Sequence, residues 1–429
     1  MAILSSARKL ISPKHAPSKS AAGSGENREH HHKGVALSDE ASSVSLRAFL
    51  EALDYVIVQE PAEFNFHGAI ELPHAKSFWI WACRDVMPEL NQRIETMINA
   101  DKTAASSIDA VAPLICAAIE DIVEHASQNS EADRRLTVQV GGEKVRERLE
   151  IMICALRSRS VIEKASTFGR ATNSLQDENA LCMALQSLPA KDATLSALLM
   201  HAVVGQVSNP SKLLSAVVTS VGGSGEGGIR SAGFASLVDA ILSHAQNQLA
   251  IISTNFGAFA DVDLICRSLS RFHKLLRAVN GYIELERTSQ WSTIVAHLTK
   301  TISAKIEPKL REVSGDVSQS LRKSRDGTDR IDSDRLLAAL NGMFLLSAIR
   351  DARESLAMNA LFEKVWTETG QALEILLTRN LDDYKANPEN TISGQRLDYG
   401  IKMAELRFGA EYAEILRRAR DKAGRRIAV

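Results

Sequence analysis

The sequence predicts an all-α protein, either a multi-helix bundle or an irregular α-solenoid-like array, preceded by a disordered N-terminal arm. The apolar residues are mostly Leu, Ala, Ile and Val, and aromatic residues make up only 5% of the 429-residue chain. This composition suits packing of helix on helix. Apolar residues also recur at three- and four-residue steps, and the polar connections between these stretches are short, which favours antiparallel neighbouring helices.

Three similar stretches suggest a helical repeat. They begin at Lys212, Lys274 and Arg335, which are 62 and 61 residues apart (274 − 212 and 335 − 274). Each continues with two leucines and, one residue later, Ala followed by Val or Leu. If the likeness is a repeat, each copy is a small bundle that packs its apolar stripe against the next copy. The alternative is a chance likeness in a chain rich in Leu and Ala.

The chain divides into three predicted regions. Residues 1–38 form a basic arm without an acidic residue before Glu26, a composition typical of disorder. An N-terminal helical module covers 39–221 and a C-terminal helical array covers 229–429, with the boundary at the glycine cluster 222–228. A short basic amphipathic turn in the arm leaves three interpretations open: a solvated tail, an organellar presequence or a flexible export signal.

The N-terminal module should begin with a helix that is capped by Ser38 or Asp39 and ended by Pro61. The next helix carries Trp79 and is kinked or divided by Pro88. Further helices are predicted near 106–127, 143–168, 175–187 and 190–207. The alternating stretch 136–140 is the one candidate strand, although it lacks an obvious partner.

The C-terminal half has clearer helix boundaries. Asn209 can cap a helix that has Pro210 in its first turn and ends near Val221. Further helices are predicted near 229–252, 258–284, 290–323, 332–356, 358–384 and 394–426. Short connections between long helices predict a bundle or a superhelical stack.

Charge and cysteine content narrow the classes of partner and compartment. The formal net charge is −1, so no global field attracts nucleic acid, and no nucleic-acid partner is expected. The strongly apolar stretch 336–349 is shorter than the roughly 20 residues of a membrane-spanning helix, so no transmembrane segment is expected. The five cysteines include no C-x-x-C pair, which favours a reducing compartment and a cytoplasmic protein.

The glycine cluster contains the spacing G-x-G-x-x-G at Gly223, Gly225 and Gly228. A helix follows it, and helix N-termini can bind phosphate. However, the preceding segment is predicted to be a helix, whereas a dinucleotide site needs a strand there. A mobile inter-bundle loop is therefore the favoured interpretation, and no cofactor is expected.

His67, Glu71 and His74 form a candidate metal site. On one helix they would share a face at steps of four and three residues, and their side chains are ligands that zinc accepts. Gly68 and Pro73 argue against that helix. A surface loop that enters a helix at His74 is the alternative.

Two groups of residues are candidate partner contacts. Trp79, Trp81 and Arg84 have the composition of interface hot spots, although large aromatic side chains more often pack in a core. The basic final helix carries the second group, which consists of Arg417, Arg418 and Arg420. This helix could contact acidic partners or membrane head groups, or its cations could simply complement the helix dipole while its apolar stripe docks on the bundle.

The leading functional hypothesis is a non-enzymatic helical scaffold or adaptor that binds a protein partner, because stacked helices create extended binding surfaces. Homo-oligomers and peripheral membrane contact through the basic terminal helices are compatible with it. One rival is a secreted effector, an export-gating component or a mitochondrial matrix protein addressed by residues 1–38. Another is a metal-dependent enzyme centred on His67, Glu71 and His74. No common catalytic motif is found, although sites assembled from distant segments escape such a search.

Overall fold

The structure, a computed structural model, describes residues 44–59, 63–175, 177–188, 192–255, 261–323 and 330–425. The all-α fold class is confirmed, because helices make up nearly all regular structure in these residues. The predicted arm, 1–38, and the predicted cap at Ser38 or Asp39 lie outside the described residues. From Val44 onward the chain forms one compact unit, and the division into 39–221 and 229–429 stays a prediction about how that unit is organised.

The first half contains short helices and one pair of short strands. The elements are α1 (Val44–Ala52), β1 (Ile57–Val58), β2 (Ile70–Glu71), α2 (Leu72–Trp81), a π-helix (Ala82–Val86), α3 (Leu90–Asn99), α4 (Ala104–Gln128), α5 (Ser130–Val140), α6 (Glu143–Glu147), α7 (Leu149–Arg157), α8 (Arg159–Ala171) and α9 (Glu178–Gln186). The long helix α4 packs against α1, α3, α5 and α7.

The second half contains longer helices. They are α10 (Ala193–Gln206), α11 (Pro210–Val221), α12 (Glu226–Ser231), α13 (Ala235–Asn255), α14 (Val262–Tyr282), α15 (Gln290–Ser320), α16 (Ser333–Ala352), a 3-10 turn (Arg353–Ser355), α17 (Asn359–Ala386), α18 (Thr391–Phe408) and α19 (Ala410–Arg425). The predicted start of α11 is confirmed, because the Asn209 side chain accepts a hydrogen bond from the Ser211 amide and Pro210 lies in the first turn.

These longer helices pack in two layers. The helices α10, α13, α15 and α17 pack against one another in chain order, and so do α11, α14, α16 and α18. Between the layers, α13 packs on α14, α15 on α16, and α17 on α18. Grooves therefore run between consecutive helices of each layer, as expected for stacked helix pairs.

Five predictions about individual elements were wrong. The first helix, predicted to be ended by Pro61, ends at Ala52, and Ile57 lies in β1. The predicted helix 229–252 is divided into α12 and α13, with Gly233 between them at a φ of 84°.

The candidate strand 136–140 lies in α5, whose first turn is held by the Asn129 side chain, which accepts hydrogen bonds from the amides of Glu131 and Ala132. The predicted helix 143–168 is divided into α6, α7 and α8. The predicted helix 394–426 is divided at Gly409, where a φ of 97° ends α18 in a conformation that favours glycine.

The three similar stretches lie on α11, α14 and α16, which are consecutive helices of one layer. The helices that carry consecutive copies pack on each other, α11 on α14 and α14 on α16. The interval between the second and third copies holds one long helix pair, so the expectation of a small bundle was wrong there.

Candidate functional site

A cavity lies between α13 and α15, beside Val58 and Glu63. We call it the α13–α15 groove. Its volume is about 300 Å³, at the lower end of the range for ligand pockets. It is lined by Val58 and Glu63, by Ser243, Gln246, Asn247, Leu249, Ala250 and Ser253 of α13, and by Leu298, Thr301 and Lys305 of α15.

The segment between the strands is fixed by the core before it reaches the groove. Ile57 and Ile70 pair in a parallel two-stranded ladder, and Ile70 is fully buried. Gly68 approaches the backbone of α10 so closely that an added Cβ would lie 2.8 Å from the carbonyl carbon of Ala197 and closer still to its oxygen. Glycine is therefore required at this crossing.

Two amide side chains of α13 hold the backbone of this segment. Gln246 pairs with both polar groups of Phe64: its Oε1 accepts from the Phe64 amide at 2.9 Å, and its Nε2 donates to the Phe64 carbonyl at 3.0 Å. The neighbouring Asn247 accepts from the Gln59 amide through Oδ1 at 3.0 Å. These contacts recognise backbone groups, so they do not depend on the side chains of the bound segment.

A charged contact joins the segment to α15. The Nε2 atom of His297 lies 2.6 Å from a Glu63 carboxylate oxygen and 3.0 Å from the Thr301 hydroxyl. The His297 ring also meets the edge of the Phe64 ring, with 5.2 Å between centroids. Segment, α13 and α15 are thus joined by polar contacts along one side of the cavity.

Behind the cavity lies a buried polar seam between α10 and α13, formed by His201, Ser243 and His244. The His201 Nδ1 donates to the Tyr55 carbonyl at 3.3 Å, so its Nε2 accepts from the Ser243 hydroxyl at 3.2 Å. The two imidazole rings stack with centroids 4.1 Å apart, and His244 Nε2 donates to the His201 carbonyl at 2.8 Å.

Burial keeps both histidines neutral. Desolvation lowers the pKa of His201 to about 4, against a smaller opposing effect of the bond to Tyr55. Desolvation, and then the proximity of His201, lower the pKa of His244 well below its usual value. A charged imidazole is therefore excluded from the seam near neutral pH.

The Ser243–His201 pair has the contact of a nucleophile with a base, but not the surroundings of a catalytic dyad. Ser243 lies in the middle of α13, where backbone amides are used within the helix and cannot stabilise an oxyanion. A histidine with a pKa of about 4 is also a weak general base at neutral pH. The seam is best explained as a hydrogen-bonded brace between α10 and α13.

The structure brings together two of the three predicted metal ligands. His74 Nδ1 lies 3.5 Å from the Glu71 carboxylate. Burial lowers the pKa of His74, and the Glu71 charge opposes this effect. His67 is exposed in the preceding turn. In the described ranges, no group of three or more His, Cys, Asp or Glu side chains is placed to hold a metal ion.

The predicted aromatic contacts lie in the core. Trp79 and Trp81 are 1% and 2% exposed, and Trp79 stacks on Phe49 with 4.3 Å between centroids. Both indoles are buried, which agrees with the alternative that large aromatic side chains pack in a core. Arg84 is exposed, pairs with Asp85 at 2.7 Å and donates to the Gln139 carbonyl.

The three arginines of α19 that were predicted to contact a partner pair instead with carboxylates of α18 and α19. Arg417 pairs with Glu405, Arg418 bonds to Glu414 at 3.2 Å, and Arg420 bonds to Asp398 at 2.8 Å. Burial raises the pKa of Asp398, and the Arg420 charge opposes that rise. These contacts agree with the alternative in which the final helix docks on the bundle.

The glycine cluster does not form a phosphate cradle. It follows the helix α11, which Gly222 ends with a φ of 74°, and it leads into the six-residue helix α12. The carboxylate of Glu226, at the start of α12, is buried and accepts two hydrogen bonds from Arg230. A negative group therefore already occupies the helix start that a phosphate would need.

Comparison of the chain with protein-family models, with curated proteins and with solved structures found no match. None of the helices in the described ranges is long and apolar enough to cross a membrane. The groove residues were missed by sequence reasoning. The run of three polar residues 246–248 within α13 was the available indication.

Proposed function

We propose that this protein is a non-enzymatic helical scaffold or adaptor and that it binds an extended segment of a protein partner in the α13–α15 groove. The observation that carries the proposal is the pairing of the Gln246 side chain with both backbone polar groups of Phe64. Amide side chains in this wall bind backbone groups, whatever the side chains of the bound segment.

The two-layer packing supports this proposal. Consecutive helices of one layer leave a groove between them, and α13 and α15 flank the cavity described above. Stacked helices offer such surfaces without requiring a reactive centre. The Ser243–His201 pair, which lacks oxyanion donors, does not favour an enzyme.

We further propose that the protein works in the cytoplasm. The five cysteines are unpaired thiols, and three of them are buried, which suits a reducing compartment. The rival addresses, a secreted effector or a mitochondrial matrix protein, depend on residues 1–38. Deletion of these residues from a fluorescent fusion is expected to leave its location unchanged, and relocation would favour the rival.

Site-specific photo-crosslinking of the full-length chain tests the scaffold. A benzophenone amino acid at Ser253, which lines the groove, is expected to yield adducts with a polypeptide in extract of cells that express the protein. The matched control carries the same group at Val138, which is 80% exposed on α5. Mass spectrometry identifies the adducts.

Adducts that form equally at Ser253 and at Val138 would contradict binding in the groove. The absence of any polypeptide adduct at Ser253, together with turnover of a small molecule by the purified protein, would contradict the scaffold itself.

A further inference from the structure

One side chain of the buried seam, that of His201, is also the point where the strands β1 and β2 rest on α10. Before β1, the Tyr55 carbonyl accepts from His201 Nδ1 at 3.3 Å. Before β2, Gly68 lies so close to α10 that an added Cβ would be 3.1 Å from the His201 Cβ. The strands are joined to each other, because the Ile70 amide donates to the Val56 carbonyl at 2.8 Å. A change at His201 therefore reaches both strands.

Among the described residues, the surroundings of the two stacked imidazoles contain a cation but no carboxylate. The cation is Arg271 of α14, whose charge acts on the His244 ring and whose guanidinium is held by the carbonyls of Val204 and Val207. Helices α7 and α8 also pack on α10, and α15 packs on α13, but none of them brings a charge that acts on either ring. The contact of Glu63 with His297 joins the chain to α15 and does not act on the rings either.

A proton on either ring therefore meets no opposite charge. Two charged imidazoles whose centroids are 4.1 Å apart would repel each other and would both remain desolvated. In water, however, a histidine takes up a proton near its ordinary pKa of about 6.5. The buried arrangement is therefore favoured above this pH, and acid favours a state in which the rings reach water.

We propose that the His201–His244 pair is an acid-sensitive lock, which holds β1 and β2 on α10 near neutral pH and releases them in mild acid before the chain unfolds. The strands are suited to local release, because each has only two residues and both pack on α2, with which they can move. Local opening of this kind requires less free energy than global unfolding.

Release of the strands also changes the α13–α15 groove. Val58 of β1 lines the groove, and Asn247 of α13 holds the Gln59 amide directly after β1. A partner segment should therefore be bound near neutral pH and released in acid. This consequence rests on the proposed function, whereas the lock itself does not.

Native-state hydrogen exchange of the full-length chain tests the lock. Peptides that cover 55–58 and 68–71 are followed by mass spectrometry at pH 7 and pH 5, and each rate is divided by the chemical exchange rate at that pH. Between these pH values, His201 alone should raise the opening constant of the strands about twentyfold. Below the unfolding transition, their exchange should depend little on urea, because local opening exposes little surface.

Two results would overturn the lock. One is exchange of the strands that does not rise in acid. The other is exchange that rises with urea as steeply as that of α16, because the strands would then open only together with the whole chain.

Two variants separate the proton from the packing. His201→Gln keeps a polar group in the seam but does not titrate, so the rise in acid should shrink to the contribution of His244. Ser243→Ala removes the hydroxyl that donates to His201 Nε2 at 3.2 Å but leaves both imidazoles in place. It should raise opening at both pH values and keep their ratio. A full rise in His201→Gln, or loss of the ratio in Ser243→Ala, would contradict the lock. If His201→Gln does not fold, Ser243→Ala and the urea series decide.

Photo-crosslinking at Ser253 distinguishes the lock from the proposed function. Polypeptide adducts that form at pH 7, disappear at pH 5 and persist at pH 5 in His201→Gln support both. Adducts that persist at pH 5 in the unaltered chain, while the strands are open, would overturn the control of the groove. Absence of adducts at both pH values would contradict the proposed function, and the exchange data would still decide the lock.

Discussion

The seam between α10 and α13 and the end formed by α17, α18 and α19 both depend on polar side chains, but in opposite ways. In the seam, His201 and Ser243 are almost fully buried and neutral, and each hydrogen bond has a fixed partner. At the C-terminal end, Arg417 and Arg418 are partly exposed and pair with carboxylates. Protonation should therefore disturb the seam, whereas salt should disturb only the C-terminal end.

The two regions also differ in how much each polar contact contributes to the free energy of unfolding. A buried group that loses its partner remains desolvated, which costs much more than the loss of a contact in water. Exposed ion pairs are replaced by hydration and contribute little. The seam and the segment packed on it should therefore determine the free energy of unfolding, whereas substitution of most arginines of α19 should change it little.

The largest effect is expected at the crossing of the segment over α10. Gly68→Ala places a methyl group against the Ala197 backbone, which cannot move without shifting α10. We expect the free energy of unfolding to fall by about 3 kcal/mol, as for overpacking of a rigid contact. Urea denaturation measures this change in the free energy of unfolding.

Gly227→Ala is the matched control, because a Cβ at this position of α12 would meet no atom within 4 Å. Its stability should stay the same or rise slightly through reduced freedom of the unfolded chain. A similar loss in both variants would show that the close approach of Gly68 to α10 is not the cause.

The next largest effect is a loss of stability in mild acid. Because the pKa of His201 is lowered in the folded state to about 4, the unfolded state binds a proton first, near its ordinary pKa of about 6.5. Stability is therefore complete above pH 6.5 and falls as the pH decreases toward 4. His201 alone should remove about 2 kcal/mol between pH 7 and pH 5, and His244 acts in the same direction.

Urea titrations at the two pH values check this prediction in His201→Gln, which keeps a polar partner for Ser243 but does not titrate. The dependence on pH should become weaker in this variant. His125→Gln, at an exposed position of α4, should retain the full dependence. If both variants behave like the original chain, the seam does not contain the group that responds to acid.

The helices and their apolar faces could be predicted from the sequence, because both depend on the spacing of residues that are close together in the chain. Asn209 and Pro210 marked the start of α11 correctly. The groove could not be predicted, because Gln246 meets Phe64 across 182 residues and no local pattern encodes such a distance. The strand prediction at 136–140 was wrong because alternation of apolar and polar residues was taken as the signal of a sheet. In the described residues Leu136 and Val140 are instead buried on one side of the helix α5, and no partner strand pairs with them.

At the C-terminal end, the largest effect is expected for Arg407. Its guanidinium lies 4.0 Å from the centre of the Trp366 ring, and its Nε donates to the Trp366 carbonyl. Arg407→Lys keeps the charge but loses the planar contact, so we expect a loss of about 1 kcal/mol. Thermal or urea denaturation should show this loss equally at low and high salt, because the ring contact is not a pair of exposed ions. A loss that disappears in salt would contradict stacking as its source.

The smallest effect is expected for Arg418. Its side chain is 77% exposed, and its partner Glu414 lies one turn away on the same helix. Arg418→Gln should change the free energy of unfolding by less than about 0.5 kcal/mol at low salt, and the change should vanish at high salt. Urea denaturation at two ionic strengths checks this. A loss as large as that of Arg407→Lys would mean that charge, rather than burial and ring contact, stabilises this end, and the contrast with the seam would fail.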